Sequence, residues 1–185
     1  LEQALNRQPK AELAVALAHA ELQSMRGDAA AATETLQAML SRHPGHQQVL
    51  RELVRLYRAD NDYSALLGIL PQLRKGKVLG SQALAALEVH IWQGRLRAAG
   101  AEGAQALPAV QAAWQQIPAP LRQDAELLLA YAETLHGLGA DDEAEGLLRK
   151  AIKLHYDPRL VRLYGLLRGR DSLNQLQQAE DWLVR

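Results

Sequence analysis

Three arginines stand at helical spacing in the first third of the chain: Arg51, Arg55 and Arg58. Residues four and three positions apart lie along one face of an α-helix. Guanidinium groups bind carboxylates and phosphates through paired hydrogen bonds. The row therefore predicts a binding surface for an acidic peptide, a C-terminal carboxylate or the propionates of a porphyrin. The alternative is a solvated helix face, with Glu52 and Asp60 nearby.

Histidines supply the other candidates for chemistry. His43 and His46 flank Pro44-Gly45 in a predicted turn, and His155 stands in another, so each offers an axial ligand for haem iron. A single loop histidine is more often a turn residue, and no third ligand completes a metal cage. No serine stands at a recognisable motif spacing from a histidine and a carboxylate. The sequence thus predicts no catalytic residue, no metal site, no bound cofactor and no enzyme activity.

Charge and composition exclude several classes of function. Lys plus Arg is 21 and Asp plus Glu is 21, so no net positive field would attract nucleic acid. The chain has no Cys, which removes disulfides, thiolate nucleophiles and iron–sulfur clusters. Its apolar stretches are a few residues long, against about 20 for a bilayer span, so we expect a soluble chain. Because it begins at Leu1 and ends in an uncapped helical pattern, we interpret it as a fragment.

The secondary-structure elements that carry these candidate residues are predicted to be helices. Ala and Leu dominate, aromatics are 4% and β-branched residues are sparse, a composition that favours helices over strands. Pro and Gly cluster at a few points along the chain. Between these points lie segments of about 10 to 20 residues with apolar spacing near 3.6. The sequence predicts an all-α fold of helical hairpins.

A repeat orders the hairpins. Gly27-Asp28 and Asn61-Asp62 are 34 residues apart, which is the period of the tetratricopeptide repeat. Leu50, Leu53 and Tyr57 match the family's W-x-x-L-G-x-x-Y pattern in the first helix of a unit. Small residues are needed where two helices of a hairpin approach closely. The chain places alanines at those points, namely Ala20, Ala32, Ala132 and Ala144.

The repeat register then breaks once. Gly139 follows Asn61 by 78 residues, which is two periods plus ten, so we place an insertion at about 95–107. Stacked units of this kind form a right-handed superhelix with a concave groove. We predict a single tetratricopeptide-repeat solenoid over residues 1–185, with units at about 13–46, 47–80, 81–124 (irregular) and 125–157, and a partial unit at 158–185.

In this repeat family the first helix of each unit lines the groove. Its inward positions are occupied by Gln48 and by the three arginines of the row. Trp92 takes the corresponding place in the irregular unit, where its ring either anchors a partner or packs in the core. Trp114 and Trp182 stand at apolar helical spacing and are predicted to be packing residues.

Charge is segregated near the end of the chain. Residues 124–145 carry seven acids and no Lys or Arg, and residues 149–170 carry seven Lys or Arg and one acid. Such a boundary would guide a charged partner or meet an anionic membrane surface. In the alternative interpretation, the acids and bases pair between neighbouring helices and at helix ends.

Four stretches carry a narrower likeness: LLGILPQLRKGKVLG, AWQQIPAPLRQDAELLLAYAETLHGLG, KAIKLHYDPRLVRLYGLL and QLQQAEDWLVR. They resemble the soluble part of the HemY-type proteins of Gram-negative bacteria, which are associated with protohaem biosynthesis. The resemblance implies a complete protein with an N-terminal hydrophobic anchor in the inner membrane and further repeats after Arg185. A flavin enzyme of other bacteria shares the family's name but not its architecture, and no Gly-x-Gly-x-x-Gly motif follows a strand here.

Together, the repeat and the resemblance predict a non-catalytic protein–protein interaction scaffold of haem biosynthesis, tethered to the membrane in the full-length protein. The expected partners are proteins or peptides, other haem-pathway proteins among them, with the groove formed by Gln48, Arg51, Arg55, Arg58 and Trp92. The alternative is a haem or porphyrin carrier that uses the same groove. No nucleic acid is expected, and membrane contact is expected only through segments outside this chain.

Overall fold

The computed structural model describes residues 7–169 and 172–183, and every regular element in those ranges is helical. The prediction of an all-α fold is therefore confirmed for the described residues. The α-helices are α1 (Arg7–Met25), α2 (Ala29–Arg42), α3 (Gln47–Ala59), α4 (Tyr63–Lys75), α5 (Ser81–Gly100), α6 (Ala106–Gln116), α7 (Ala125–Gly137), α8 (Asp141–Leu154), α9 (Pro158–Tyr164) and α10 (Ser172–Leu183), with 3-10 turns at Gly103–Gln105 and Leu121–Gln123.

The chain divides into two compact units, residues 1–88 and 89–185. In the first unit each helix packs on its neighbour in the chain: α1 on α2, α2 on α3 and α3 on α4. Leucines at helical spacing form the core, because α3 and α4 each turn one apolar face inward. The fully buried leucines are Leu36, Leu50, Leu53, Leu66 and Leu73.

The turns of the first unit repeat at atomic detail. Gly27 and Asn61, 34 residues apart, both adopt left-handed backbone, with φ of 81° and 55°. The amides of Asp28 and Asp62 each donate to the carbonyl oxygen five residues earlier, at 2.9 Å, which closes the preceding helix. Their carboxylates then accept from the amide three residues later, at 3.0 and 2.9 Å, which caps the next helix. The period read from the sequence is thus a period of the structure.

The second unit contains the irregular segment and a further turn with a left-handed residue, in which Ala140 stands at the capping position and supplies no side-chain cap. Part of the predicted insertion at 95–107 extends α5 to Gly100, and the rest includes the 3-10 turn Gly103–Gln105. Gly139, with φ of 74°, joins α7 to α8, and α9 packs on both of these helices. The small residues predicted for close helix approach are all buried: Ala20, Ala32, Ala132 and Ala144.

Aromatic pairs order the second unit. Trp114 stacks on Tyr131 with ring centroids 4.3 Å apart and planes within 3°, and Trp182 meets Tyr164 edge-on at 4.9 Å. The predicted packing role of Trp114 and Trp182 is confirmed, since both are buried. The hydroxyls of Tyr131 and Tyr164 donate to glutamates of α8 at 2.6 and 2.8 Å. Burial, with these carboxylate bonds, raises the pKa of both phenols above the usual range.

Candidate functional site

A cavity of about 450 Å³ lies between α1 and α3, the first helices of two successive hairpins in the first unit. We call it the first-unit cavity. Its lining combines buried apolar side chains with more exposed side chains, most of which are polar. Of the residues predicted for the groove, Gln48 and Arg55 line it. The other lining residues are Leu17, Ala20, Glu21, Ser24, Met25, Leu36, Glu52 and Leu56.

Arg55 bridges the two helices at the rim of this cavity. Its Nε donates to Oε2 of Glu52 at 2.9 Å, and its Nη2 donates to Oγ of Ser24 at 3.3 Å. The Arg55 side chain is 54% exposed, so solvent screens the ion pair and the guanidinium keeps donors for a ligand oxygen. Arg55 is therefore both a structural bridge and an accessible polar group.

The other two arginines of the predicted row have different surroundings. Arg51 directs Nε and Nη2 to the carbonyl oxygen of Val78, each at 3.4 Å, and so contacts the turn that precedes α5. Arg58 is exposed, and its side chain makes no hydrogen bond or ion pair with any residue that the structure describes. Only Arg55 of the three lines the cavity. The three arginines lie on one face of α3, but they have different hydrogen-bond acceptors. Arg51 contacts the carbonyl of Val78, whereas Arg55 contacts Glu52 and Ser24 at the cavity.

The repeat explains three of the lining residues that lie outside the predicted groove set. Leu17, Glu21 and Ser24 each precede one arginine of the row by 34 residues, so they hold the equivalent positions one unit earlier. The groove positions predicted above begin in the unit that starts at Gln47. Shifting those positions back by one period would have found all three.

Trp92 belongs to the second unit and is 5% exposed. The guanidinium carbon of Arg95 lies 5.2 Å from the centroid of the Trp92 ring, within reach of a cation–π contact. A ring covered in this way offers little surface to a partner. Of the two roles considered for Trp92, its burial favours packing over anchoring.

The loop histidines occupy helix ends. His46 is the N-cap of α3, and its Nδ1 accepts from the amide of Val49 at 3.5 Å. His43 and His155 are the C-cap residues of α2 and α8. Within residues 7–169 and 172–183, no group of three or more His, Cys, Asp or Glu side chains is placed to hold a metal ion.

The segregated charges of the second unit pair with one another, as in the second interpretation above. Arg159 of α9 forms ion pairs with Glu126 of α7 and, at 2.9 Å, with Asp157. Arg149 lies 3.6 Å from Glu145, one turn earlier in α8. Arg170 of the basic cluster lies outside the described residues. Pairing across helices therefore neutralises part of both clusters.

Asp141 makes two further contacts in the second unit. Its Oδ1 lies 2.7 Å from Nδ1 of His136, and its Oδ2 accepts from the amide of Arg168 at 2.8 Å. The hydrogen bond with His136, and then the one from the amide of Arg168, hold the pKa of Asp141 below its usual range. The carboxylate thus links α7, the start of α8 and the segment after α9.

In comparisons with known proteins, the chain matches curated proteins that share one name. No protein-family model matches the chain, and no solved structure matches it. The protein named HemY from Escherichia coli K12 is 28% identical over 162 residues, which is 87% of this chain and 40% of that protein. The protein of the same name from Shigella flexneri gives the same values. The chain thus spans about two fifths of the length of these curated relatives, and along most of its own length it is similar to HemY proteins.

Proposed function

We propose that the chain is a tetratricopeptide-repeat scaffold that binds a segment of a partner protein in the first-unit cavity, in association with haem biosynthesis. The observation that carries the proposal is the cavity itself. It lies between α1 and α3, the first helices of consecutive hairpins. Glu21 and Ser24 line it from α1, and α3 carries the residues that stand one period later, Arg55 and Arg58. First helices of neighbouring units supply the binding surface in repeat proteins of this type.

The lining chemistry supports a peptide as occupant. Leu17 and Met25 provide apolar surface above the buried Leu36 and Leu56, and Gln48 and Ser24 provide neutral polar groups. A volume of about 450 Å³ lies within the range of about 300–1,000 Å³ that is usual for ligand sites. One or two peptide side chains with their backbone would fill it, with apolar contacts below and hydrogen bonds at the rim.

The charges of the cavity favour a peptide over a porphyrin. Glu21 and Glu52 line it against Arg55 alone, so its formal charge is negative. Two propionates would meet these carboxylates at close range, whereas a neutral or basic peptide would not. A haem or porphyrin carrier remains the second candidate, because Arg55 together with Ser24 forms a donor pair that one propionate would fit.

The proposed role is non-catalytic, and we place the complete protein at the bacterial inner membrane. This placement follows from the resemblance, with the tether in a segment outside this chain. Among the described residues, none of the helices combines the length and the apolar character that crossing a bilayer requires.

Partner capture tests the proposal. The purified chain is immobilised and exposed to a detergent extract of bacterial membranes, and bound proteins are quantified by mass spectrometry. Arg55→Glu should abolish enrichment of the specific partner, because it removes the guanidinium donors at the rim and breaks the bridge to Ser24. Arg58→Glu is the matched control, since it makes the same charge change three residues away and outside the cavity. Equal capture by folded wild type and Arg55→Glu would refute the cavity assignment.

Hemin titration separates the two candidates. The Soret band is followed at low micromolar hemin, and an unrelated helical-repeat protein serves as the control for adsorption to apolar surface. A scaffold gives no saturable shift larger than that of the control protein. A one-to-one shift that Arg55→Glu weakens and Arg58→Glu leaves unchanged would replace the scaffold with the carrier.

A further inference from the structure

A second, smaller concavity lies in the second unit, where the 3-10 turn Leu121–Gln123 meets α7 and α8. We call it the second-unit slot. Its volume is about 150 Å³, which suits a single aliphatic or aromatic side chain. Its walls are mostly apolar, formed by Leu128, Leu147, Ala151 and Leu154. Its polar lining consists of Arg122, Gln123, Lys150 and His155.

The basic groups of this slot lack acidic partners. None of the described lining side chains is acidic. Arg122 has one side-chain hydrogen bond, from Nη1 to Oε1 of the neutral Gln115 at 3.4 Å. Lys150 and His155 make no side-chain hydrogen bond or ion pair with any described residue. The slot therefore carries net positive charge, in contrast to Arg149 and Arg159 of the same unit, which are paired.

Exposed apolar side chains extend the surface. Leu154, on the wall of the slot, is 72% exposed, and Tyr156, two residues later, is 57% exposed. A large apolar residue next to an open apolar pocket gains free energy when a partner covers both. The combination of an apolar slot and unpaired cations selects a ligand that has an apolar side chain next to carboxylates.

We propose that the second-unit slot binds a short acidic segment of a partner protein, with one apolar side chain of that segment in the slot and its flanking carboxylates on Lys150 and Arg122. The slot is separate from the first-unit cavity and has the opposite charge. The inference therefore stands or falls independently of the function proposed above. Its small volume favours a single side chain, and its charge complementarity selects an acidic peptide.

Fluorescence polarisation with the whole chain tests this proposal. The probe is a fluorescein-labelled heptapeptide with a central Leu-Phe pair between Glu and Asp residues. Two further peptides are compared: one with Lys and Arg in place of the acids, and one with Gly-Gly in place of Leu-Phe. We expect saturable binding of the first peptide alone. Raising the salt concentration should weaken it, because the carboxylate contacts are exposed to solvent.

Paired variants locate the binding. Lys150→Glu should raise the Kd about tenfold or more, because it places a carboxylate where the ligand's carboxylate binds. Lys153→Glu makes the same change three residues later in α8, outside the slot, and should change the Kd less than about twofold. Leu154→Glu should also weaken binding, with Leu166→Glu as its control, since Leu166 is 61% exposed and outside the slot.

Three results would overturn the inference. One is equal binding of the acidic and basic peptides, and another is an equal effect of Lys150→Glu and Lys153→Glu. The third is no peptide binding together with co-sedimentation on vesicles of anionic phospholipid that Leu154→Glu abolishes. That third result would assign the surface to a membrane. Circular dichroism of each variant confirms that its helices are retained.

Discussion

Gly100 is the last residue of α5, and its lack of a side chain permits close packing on α7. A Cβ placed there would lie 2.7 Å from Cγ2 of Thr134, closer than carbon atoms approach without displacement. Thr134 cannot rotate away freely, because its Oγ1 donates to the carbonyl oxygen of Ala130 at 2.7 Å. Overpacking of this kind costs about 1–3 kcal/mol. The helix propensity gained from Gly to Ala is at most about 1 kcal/mol. Gly100→Ala should therefore lower the free energy of unfolding by about 1–2 kcal/mol.

Thr134→Ser supplies the decisive comparison. Serine keeps the hydroxyl that donates to Ala130 and removes the methyl group that the new Cβ would meet. In the Thr134→Ser background, Gly100→Ala should be neutral or stabilising. Urea unfolding of the four proteins, monitored by circular dichroism at 222 nm, gives the coupling energy from a double-mutant cycle. A coupling energy near zero, or a stabilising Gly100→Ala in the wild-type background, would refute the packing argument.

Three further predictions concern stability. Tyr131→Phe should cost about 1–2 kcal/mol in urea unfolding, because it removes the hydrogen bond to the solvated carboxylate of Glu143 and keeps the aromatic stack; a neutral effect would contradict this. Asp28→Ala and Asp62→Ala should each cost about 1 kcal/mol and add in the double variant, since both carboxylates cap helices in equivalent turns; strongly unequal costs would show that the turns differ. Asp141 has a lowered pKa, so its stabilising contribution is fully present above the unfolded-state pKa of about 3.9 and is lost as pH falls through the folded-state value; Asp141→Asn should therefore have a lower urea midpoint than wild type at pH 7, and the difference should shrink progressively as pH falls below about 4.

Local chemistry made much of the fold predictable. Gly27 and Asn61 stand where the backbone must be left-handed, and Asp28 and Asp62 cap the next helix, so turn residues alone set the period. Ala132, in turn, marks a place where helices must approach closely. These signals act over a few residues, which is why one sequence suffices to find them.

The candidate sites were harder to predict, because they depend on groups far apart in the chain. Arg55 finds its bridging partner in Ser24, 31 residues earlier, and Arg51 finds a carbonyl 27 residues later. Spacing along one helix identified the arginines but not their acceptors. The second-unit slot combines Arg122 with Lys150 only after α7 and α8 pack together. Lys150 stands in a basic cluster in which Arg149 and Arg159 form ion pairs, so the sequence alone does not show which of these bases is unpaired.

The packing of helices on their chain neighbours has a kinetic consequence. In the first unit each described helix packs on the next one, so loops of only a few residues close before each interface forms. Folding rates rise as the sequence separation of contacting residues falls, because less chain entropy is lost before contacts form. In stopped-flow refolding from urea, we therefore expect the circular dichroism signal of the helices in this unit to recover within milliseconds. The first unit is therefore expected to fold by successive formation of packed pairs of neighbouring helices.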